Sequence, residues 1–324
     1  MKIDQSSLDA LYEIIKINNE IKSDDENFIF FLNSTAYREL RNDKIDRYSI
    51  DSMKNVINSY IHFKLDNQSE QDRKFTNSRL QIFEENYKKH NPDIAKIIVK
   101  SKIDAFNYLP AGFNYVEPTI ALAVLLLDHE LGWCLGNCII LNYTNFYDYS
   151  DFNQNLIAHE LHHFFAAQIR NKNKDDIFDD KISGGIYIFI LQMANEGIAN
   201  LITIPYALEF PEKVGYHGKK IISQYKSVNE NFRNFNNIIT TNINDFEAMF
   251  KELTNLRKRP FVFHTLAYFI INKIYTAFGK ETIFEITEYP LRILRFYNKA
   301  VEFLNEDDSF LINKDFISIL EKVN

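Results

Sequence analysis

The stretch Asn155-Leu-Ile-Ala-His-Glu-Leu-His-His163 contains the pattern H-E-x-x-H, read from His159 to His163. On an α-helix, residues four positions apart lie on one face, one turn from each other. Phe152 and Leu156 share that face, so the two imidazoles extend an inward-facing stripe. The pattern therefore predicts a helix that presents two histidines to the same space.

Two imidazoles on one helix face can bind one Zn²⁺, and a glutamate beside the first can reach the water that the metal holds. Zinc lowers the pKa of that water towards neutrality, so a carboxylate can take its proton. We therefore interpret His159 and His163 as metal ligands and Glu160 as the general base. His162 is rotated by about 100° from its neighbours, at 3.6 residues per turn, and is interpreted as a supporting or structural residue.

The composition is that of an ordinary globular protein with a solid core: 324 residues, 46% hydrophobic and 25% charged. The net charge of −7, without a long basic run, argues against nucleic acid as a partner. Two cysteines, Cys134 and Cys138, are too few for a disulfide framework and are expected to be buried thiols. No signal-peptide pattern and no membrane-spanning apolar run is present, so the chain is expected to be soluble and cytoplasmic, unless a leader was removed.

Along the chain, residues 1–110 are predicted to be helical and polar, without a catalytic cluster. Two apolar segments, residues 119–127 and 136–142, are predicted strands. A helix capped by Ser150 or Asp151 is expected to run to about Arg170 and to carry the H-E-x-x-H pattern. The remainder of the chain is predicted to be mainly helical.

A polar loop is predicted at residues 171–185, followed by an apolar helix at 186–204 that Pro205 ends. Glu196 is the one charged residue of this helix. A carboxylate in so apolar a helix is costly unless it is paired or binds a metal. Glu196 is therefore the leading candidate for the third metal ligand.

Other third ligands were weighed against Glu196. Ile169 occupies the position at which the metzincin pattern requires histidine, which excludes that class. Cys138 precedes the motif as the cysteine ligand of peptide deformylases does, but a glycine-rich setting is missing. Three acidic residues of the polar loop remain alternatives: Asp176, Asp179 and Asp180.

The two predicted helices resemble those of the gluzincins, the thermolysin-like zinc peptidases. Their second helix reads Asn-Glu-x-x-Ser-Asp, which matches Asn195 and Glu196, whereas this chain has Ala199 and Asn200 at the last two positions. The resemblance implies that Glu196 is a ligand and that Asn195 and Asn200 support the site. Asn200 would accept the free N–H of His159, as an uncharged substitute for the usual aspartate.

The chain is also similar to bacterial domains described as "putative zinc-dependent peptidases" within that clan. The similarity rests on Tyr37-Arg-Glu-Leu40, Tyr108-Leu-Pro110, Glu196-Gly197 and Phe278-Gly-Lys280, besides the H-E-x-x-H pattern. It implies a donor in a late helix for the developing oxyanion, and His264 takes that place in Phe263-His-Thr-Leu-Ala267. Four other side chains are alternative donors: Tyr187, Tyr216, His217 and Tyr268.

These features together predict an α+β, mainly helical fold: a zincin-like core with a small mixed sheet packed on the H-E-x-x-H helix and flanked by helical segments. Residues 1–110 are expected to form a helical N-terminal region, and residues 111–324 the zincin-like catalytic region with a helical C-terminal lobe. As in gluzincins, the strand at 136–142 is expected to be the sheet edge that pairs with an extended substrate.

The resemblance implies a zinc-dependent peptidase that acts on a peptide or protein substrate. The alternative is a zinc-bound domain that binds peptide or protein but is catalytically weak or inactive. The basic turn Arg257-Lys-Arg259 could meet a peptide carboxylate, although a solvated turn is the simpler interpretation. The sequence leaves the oligomeric state open.

Overall fold

The computed structural model describes residues 1–17, 19–42, 48–66, 74–87, 93–126, 132–144, 150–170 and 181–322. The strands are β1 (Lys2–Asp4), β2 (Thr119–Ala123), β3 (Gly132–Leu135) and β4 (Cys138–Asn142). The helices before β2 are α1 (Ser6–Ile17), α2 (Glu26–Asn33), α3 (Thr35–Asn42), α4 (Ile50–Asp66), α5 (Lys74–Asn86) and α6 (Ile94–Phe106). The helices after β4 are α7 (Ser150–Arg170), α8 (Lys181–Glu209), α9 (Tyr216–Lys226), α10 (Val228–Thr241), α11 (Phe246–Arg257), α12 (Val262–Phe278), α13 (Lys280–Glu288), α14 (Arg292–Phe303) and α15 (Lys314–Lys322).

The fold is mainly helical with one small mixed sheet, which confirms the predicted class at that level. The chain groups into two compact units. One contains Met1–Val99 and Glu117–Asn153, and the other contains Lys100–Val116 and Gln154–Asn324. The sheet therefore groups with the N-terminal helices, whereas the boundary predicted near residue 110 stays a prediction. The zincin-like core, and the packing of the sheet on the H-E-x-x-H helix, also stay predictions.

The sheet of the first unit has the strand order β1-β2-β4-β3. β2 pairs with β1 and β4 in parallel, and β3 pairs with β4 in the antiparallel direction. The prediction that the strand at 136–142 forms an edge is therefore wrong, because β4 has a neighbour on both sides. The neighbour that the sequence analysis did not predict is β3, a four-residue strand. A two-residue turn that begins at Gly136 joins it to β4, and the φ of 53° at Gly136 suits the first position of such a turn.

The end of β2 is held by side chains from the helices of the same unit. The Tyr37 hydroxyl donates to the Val124 carbonyl at 2.6 Å, and Arg79 donates to the Leu125 carbonyl. These carbonyls follow the last strand residue and would otherwise be buried without a donor. The continuous apolar sequence of β2 and β4 thus becomes the buried centre of a parallel pair, as their composition predicted.

The second unit is an assembly of helices around α12, in which ten of the 17 residues are buried, nine of them within its first ten positions. α12 packs against α8 more extensively than any other pair of elements in the described part of the chain. The close approach depends on Gly197 of α8. A Cβ added there would lie 2.5 Å from the Ala267 carbonyl oxygen and 2.5 Å from the Ile271 side chain. Glycine therefore permits the two helices to touch beside Glu196.

α8 is longer than the predicted helix at both ends. It begins at Lys181, inside the segment predicted to be a loop, and it continues through Pro205 to Glu209, so the prediction that Pro205 ends it is wrong. Proline removes one backbone hydrogen bond from a helix interior. Pro205 is exposed, whereas Ala207 beyond it is buried and keeps this end of the helix packed.

One helix of the described residues, Gly184–Glu209 within α8, is long and apolar enough to cross a membrane by length and composition alone. Of its most apolar window, 67% is buried inside the structure. Buried core helices of soluble proteins pass the same test, so this helix is weak evidence for a membrane span. The expectation of no membrane span stays a prediction.

Candidate metal centre

Helix α7 brings His159 and His163 together, as their spacing predicts. The two Nε2 atoms lie 2.9 Å apart, and the rings stand perpendicular at a centroid distance of 4.5 Å. Both side chains are largely buried, with 12% and 13% of their surface exposed. The helix therefore presents two imidazole nitrogens at one point, which remains open to a third group.

That third group is the Glu196 carboxylate from α8. Its Oε2 lies 3.5 Å from His159 Nε2, and its Oε1 lies 3.4 Å from His163 Nε2. One ligand atom from each of the three residues falls within 4.8 Å of the others, so the group could hold a metal ion. Within the described ranges, no other set of three histidine, cysteine or acidic side chains converges in this way. Two imidazoles and one carboxylate form a donor set that suits Zn²⁺.

The charges around Glu196 keep it ionised. Burial raises its pKa, but His163 and His264 oppose this, and the pKa lies well below its usual value. Burial also lowers the pKa of His163, but the Glu196 carboxylate more than reverses this, and Glu160 and Asn195 act in the same direction. The carboxylate and the imidazole thus stabilise each other, as a metal ion of positive charge would stabilise Glu196 in their place.

His264, from α12, approaches the same carboxylate. Its Nε2 lies 3.5 Å from Glu196 Oε2, and 41% of its side chain is exposed. Close packing lowers the pKa of His264, although Glu196 acts against that effect, so the neutral ring is favoured. α12 starts directly after Phe261, which has the left-handed φ of 61° and whose ring centroid is 5.9 Å from that of His264. A bulky residue in that conformation costs free energy, and such strain tends to occur at functional sites.

The alternative donors are placed differently. Tyr268 is buried on α12 with 5% exposure, and burial raises its pKa, so its hydroxyl stays protonated. Tyr187 is partly buried on α8. Tyr216 and His217 begin α9, but their side chains lie outside the described residues. His264 is therefore the one candidate donor that the structure shows in contact with Glu196.

Glu160 follows His159 on α7 and is not one of the three converging residues. Its negative charge favours the protonated forms of both His163 and His264. The side chain is partly exposed, so water can reach it. The role of Glu160 as proton acceptor stays a prediction.

Asn200 does not make the hydrogen bond predicted for it. Its Nδ2 donates to the Glu196 backbone carbonyl at 2.8 Å, and its Oδ1 accepts from the Thr203 hydroxyl at 2.9 Å. His159 Nδ1 is buried and has no acceptor among the residues described. The structure therefore shows no hydrogen bond from His159 to Asn200, whose amide bonds within α8 at both ends, and a supporting part for Asn200 stays a prediction.

Asn195 connects the site to a residue that sequence reasoning missed. Its Oδ1 accepts a hydrogen bond from Arg170 Nη1 at 3.1 Å, and its amide also favours the protonated form of His163. Burial lowers the pKa of Arg170 to about 10. A basic residue in the last turn of a helix is ordinary, so the sequence carried no signal for this contact.

The converging group contains none of the other candidates that the structure describes. Cys138 is buried in β4, and burial raises the pKa of its thiol to about 11, which keeps it protonated and unsuited to bind metal. Asp176, Asp179 and Asp180 lie outside the described residues. Arg257, Lys258 and Arg259 are exposed, as a solvated basic turn would be.

Comparison with known proteins gives one match, and it agrees with the site. No curated protein and no solved structure is significantly similar to the chain. One family model matches residues 16–306, a range that includes all three converging side chains and His264. The chain belongs to the family described as "Putative zinc dependent peptidase (DUF5700)".

Proposed function

We propose that the protein is a zinc-dependent peptidase in which His159, His163 and Glu196 hold the ion. The observation that carries this proposal is the convergence of their ligand atoms within 4.8 Å on two buried helices. Isolated ionised carboxylates are strongly disfavoured in a protein interior, and the cationic partners that the described residues give Glu196 are histidines. The family description supports the same metal and the same broad activity.

Each further residue has a proposed part in peptide hydrolysis. A bound zinc would polarise the scissile carbonyl and increase the acidity of water. Glu160 would take the proton of the attacking water and pass it to the leaving amine. His264 would donate a hydrogen bond to the carbonyl oxygen as negative charge develops there, which a neutral ring with an N–H can do. The gluzincin arrangement of these roles is part of the proposal.

Metal analysis and cleavage assays test the proposal directly. The purified protein should contain about one zinc per chain, and it should cleave members of a mixed peptide library only in the absence of chelator. Glu196→Gln should lower zinc content while α8 stays folded, as circular dichroism would show. Glu209→Gln, an exposed glutamate on the same helix, is the matched control and should keep its zinc. Full zinc content in Glu196→Gln would instead point to Asp176, Asp179 or Asp180.

The second candidate function is a zinc-bound domain that binds peptide without efficient cleavage. The observation that favours it is the buried His159 Nδ1 without an acceptor. Metal-binding histidines usually donate this N–H to a carboxylate or carbonyl, and loss of such a partner costs about 10–100-fold in metal affinity or activity. Peptide binding by the zinc-loaded protein without chelator-sensitive cleavage would support this function over the first.

A further inference from the structure

Arg170 lies on the same face of α7 as His163. It follows His163 by seven positions, which is close to two helical turns. Its Nη1 donates to Asn195 Oδ1 at 3.1 Å, and Asn195 directly precedes Glu196 on α8. Because the Asn195 amide also faces His163, one side chain separates the guanidinium from a candidate metal ligand. Arg170 thus borders the candidate centre on the side away from His159.

The guanidinium has no acidic partner in the described part of the chain. Its hydrogen bond to Asn195 uses one of five N–H groups, and no other protein acceptor is recorded for it there. Tyr187 is the one group that acts on its charge in a favourable direction. The side chain is nevertheless closely packed and only partly exposed. A closely packed cation for which the described residues provide no counterion is costly, and an anion that binds to it would recover part of that cost.

We propose that Arg170 binds a carboxylate of the peptide substrate. The proposal rests on the proposed function, since it assumes that a peptide occupies the space beside His163. A guanidinium offers two parallel N–H groups to a carboxylate, and such paired, charge-assisted bonds are stronger than those between neutral groups. The carboxylate is either the C-terminal group of the peptide or the side chain of an aspartate or glutamate.

A purely structural part for Arg170 makes a different prediction. A cation in the last turn of a helix stabilises the helix dipole, and its bond to Asn195 joins α7 to α8. In that case the replacement of Arg170 would change the stability of the protein and would weaken the binding of all peptides equally. If Arg170 recognises a carboxylate, the loss of binding affinity must depend on whether the peptide carries one.

The test measures binding separately from cleavage. The zinc-loaded Glu160→Gln protein, in which cleavage is suppressed, would be titrated with mixed pentapeptides in three forms, each with an N-terminal dansyl label, which carries no carboxylate. These are free acids without acidic side chains, the same sequences as C-terminal amides, and amides that carry one glutamate. Binding to free acids about tenfold tighter than to amides is expected if the C-terminal group is recognised. The same preference for the glutamate-containing amides assigns the side-chain carboxylate.

Arg170→Gln should abolish this preference and leave the affinity for plain amides unchanged, whereas Arg170→Lys should keep part of it. Arg233→Gln is the matched control, because Arg233 is an exposed arginine on α10 to which no part in peptide binding is assigned. Equal binding of acids and amides to the protein with Arg170 intact, including no binding of either, would overturn the proposal even if Arg170→Gln failed to fold. Cleavage of both forms by wild type would then leave the proposed function standing. A carboxylate preference without any cleavage would instead contradict only the proposed function.

Discussion

The two faces of α7 carry the same residue type in opposite environments. On one face, His163 meets Glu196 at 3.4 Å, and that carboxylate, against the effect of burial, raises its pKa. On the other face, His162 is fully buried, and burial holds its pKa well below the usual 6.5. The two ring centroids are only 6.3 Å apart. The pKa values of these adjacent histidines therefore shift in opposite directions, because one ring faces a carboxylate and the other faces the core.

This difference shows that the H-E-x-x-H spacing identifies a site only together with the facing helix. The pattern His159-Glu-Leu-His-His163 contains three histidines, and helical geometry alone separates His162 from the other two. The residue that distinguishes them chemically is Glu196, which belongs to another helix. We refer below to the side of α7 with His159, Glu160 and His163 as the site face, and to the side with His162 as the core face.

The largest expected effect tests the chemistry of the site face. Glu160→Gln should lower kcat for peptide cleavage by about 10²–10⁴-fold, because the amide cannot accept a proton, while zinc content stays at the wild-type level. Cleavage kinetics with metal analysis of the same sample would measure both. Wild-type kcat in this variant would remove Glu160 from the proposed mechanism.

A pair of matched variants tests the comparison itself. His163→Ala should weaken zinc binding by more than about 100-fold, since loss of even a supporting residue costs up to that much. His162→Ala should keep zinc affinity but lower the free energy of unfolding by about 3 kcal/mol, because it leaves a cavity in the core face. Chelator competition and denaturant unfolding measure the two quantities. If both variants lost zinc equally, the two faces would not differ as described.

A third variant changes α8, the helix that carries Glu196 towards the site face. Gly197→Ala should lower the free energy of unfolding by about 1–3 kcal/mol and weaken zinc binding, because its methyl group collides with the Ala267 backbone and displaces Glu196. Gly185→Ala is the control on the same helix, since its methyl group meets the side chain of Phe250, which is 37% exposed and can rotate away. Equal losses of unfolding free energy in the two variants would show that the helix crossing at Gly197 can accommodate a methyl group.

The smallest expected effect on the metal concerns Asn200. Asn200→Asp should change zinc affinity by less than about twofold, because the side chain does not reach His159. It should lower stability by about 1–3 kcal/mol, since a carboxylate cannot donate to the Glu196 carbonyl. A tenfold gain in zinc affinity would instead support the hydrogen bond from His159 to residue 200 that the sequence predicted.

The sequence predicted the site largely because its signals are local. The i, i+4 spacing places His159 and His163 on one face, and the burial cost of a lone carboxylate identifies Glu196. The position of Asn200 could not be predicted, because an amide at i+4 bonds equally well within its own helix. Arg170 was missed because its interpretation depends on which charges contact it among the described residues, and a sequence does not show which charges meet.

For the fold, the bounds of α7 and the centres of β2 and β4 follow from apolar patterns. The sheet order does not, because β1 has three residues and β3 four, and neither carries a periodic signal. Without β3, the strand β4 was placed at the edge. Pro205 was taken as a helix end by a local rule, although packing beyond it keeps α8 helical.

The close crossing at Gly197 has a consequence for how related sequences should be searched. The Glu196 carboxylate reaches the histidines from a helix that touches α12 at the very next residue, where no Cβ fits. Glu196 and Gly197 therefore act together in this chain, because the glutamate supplies the carboxylate and the glycine permits the helix crossing beside it. A sequence that has H-E-x-x-H and a later glutamate followed by a large residue must place its carboxylate by a different helix geometry. Pattern searches that require Glu-Gly on an apolar helix should separate chains built like this one from chance matches to the histidine motif.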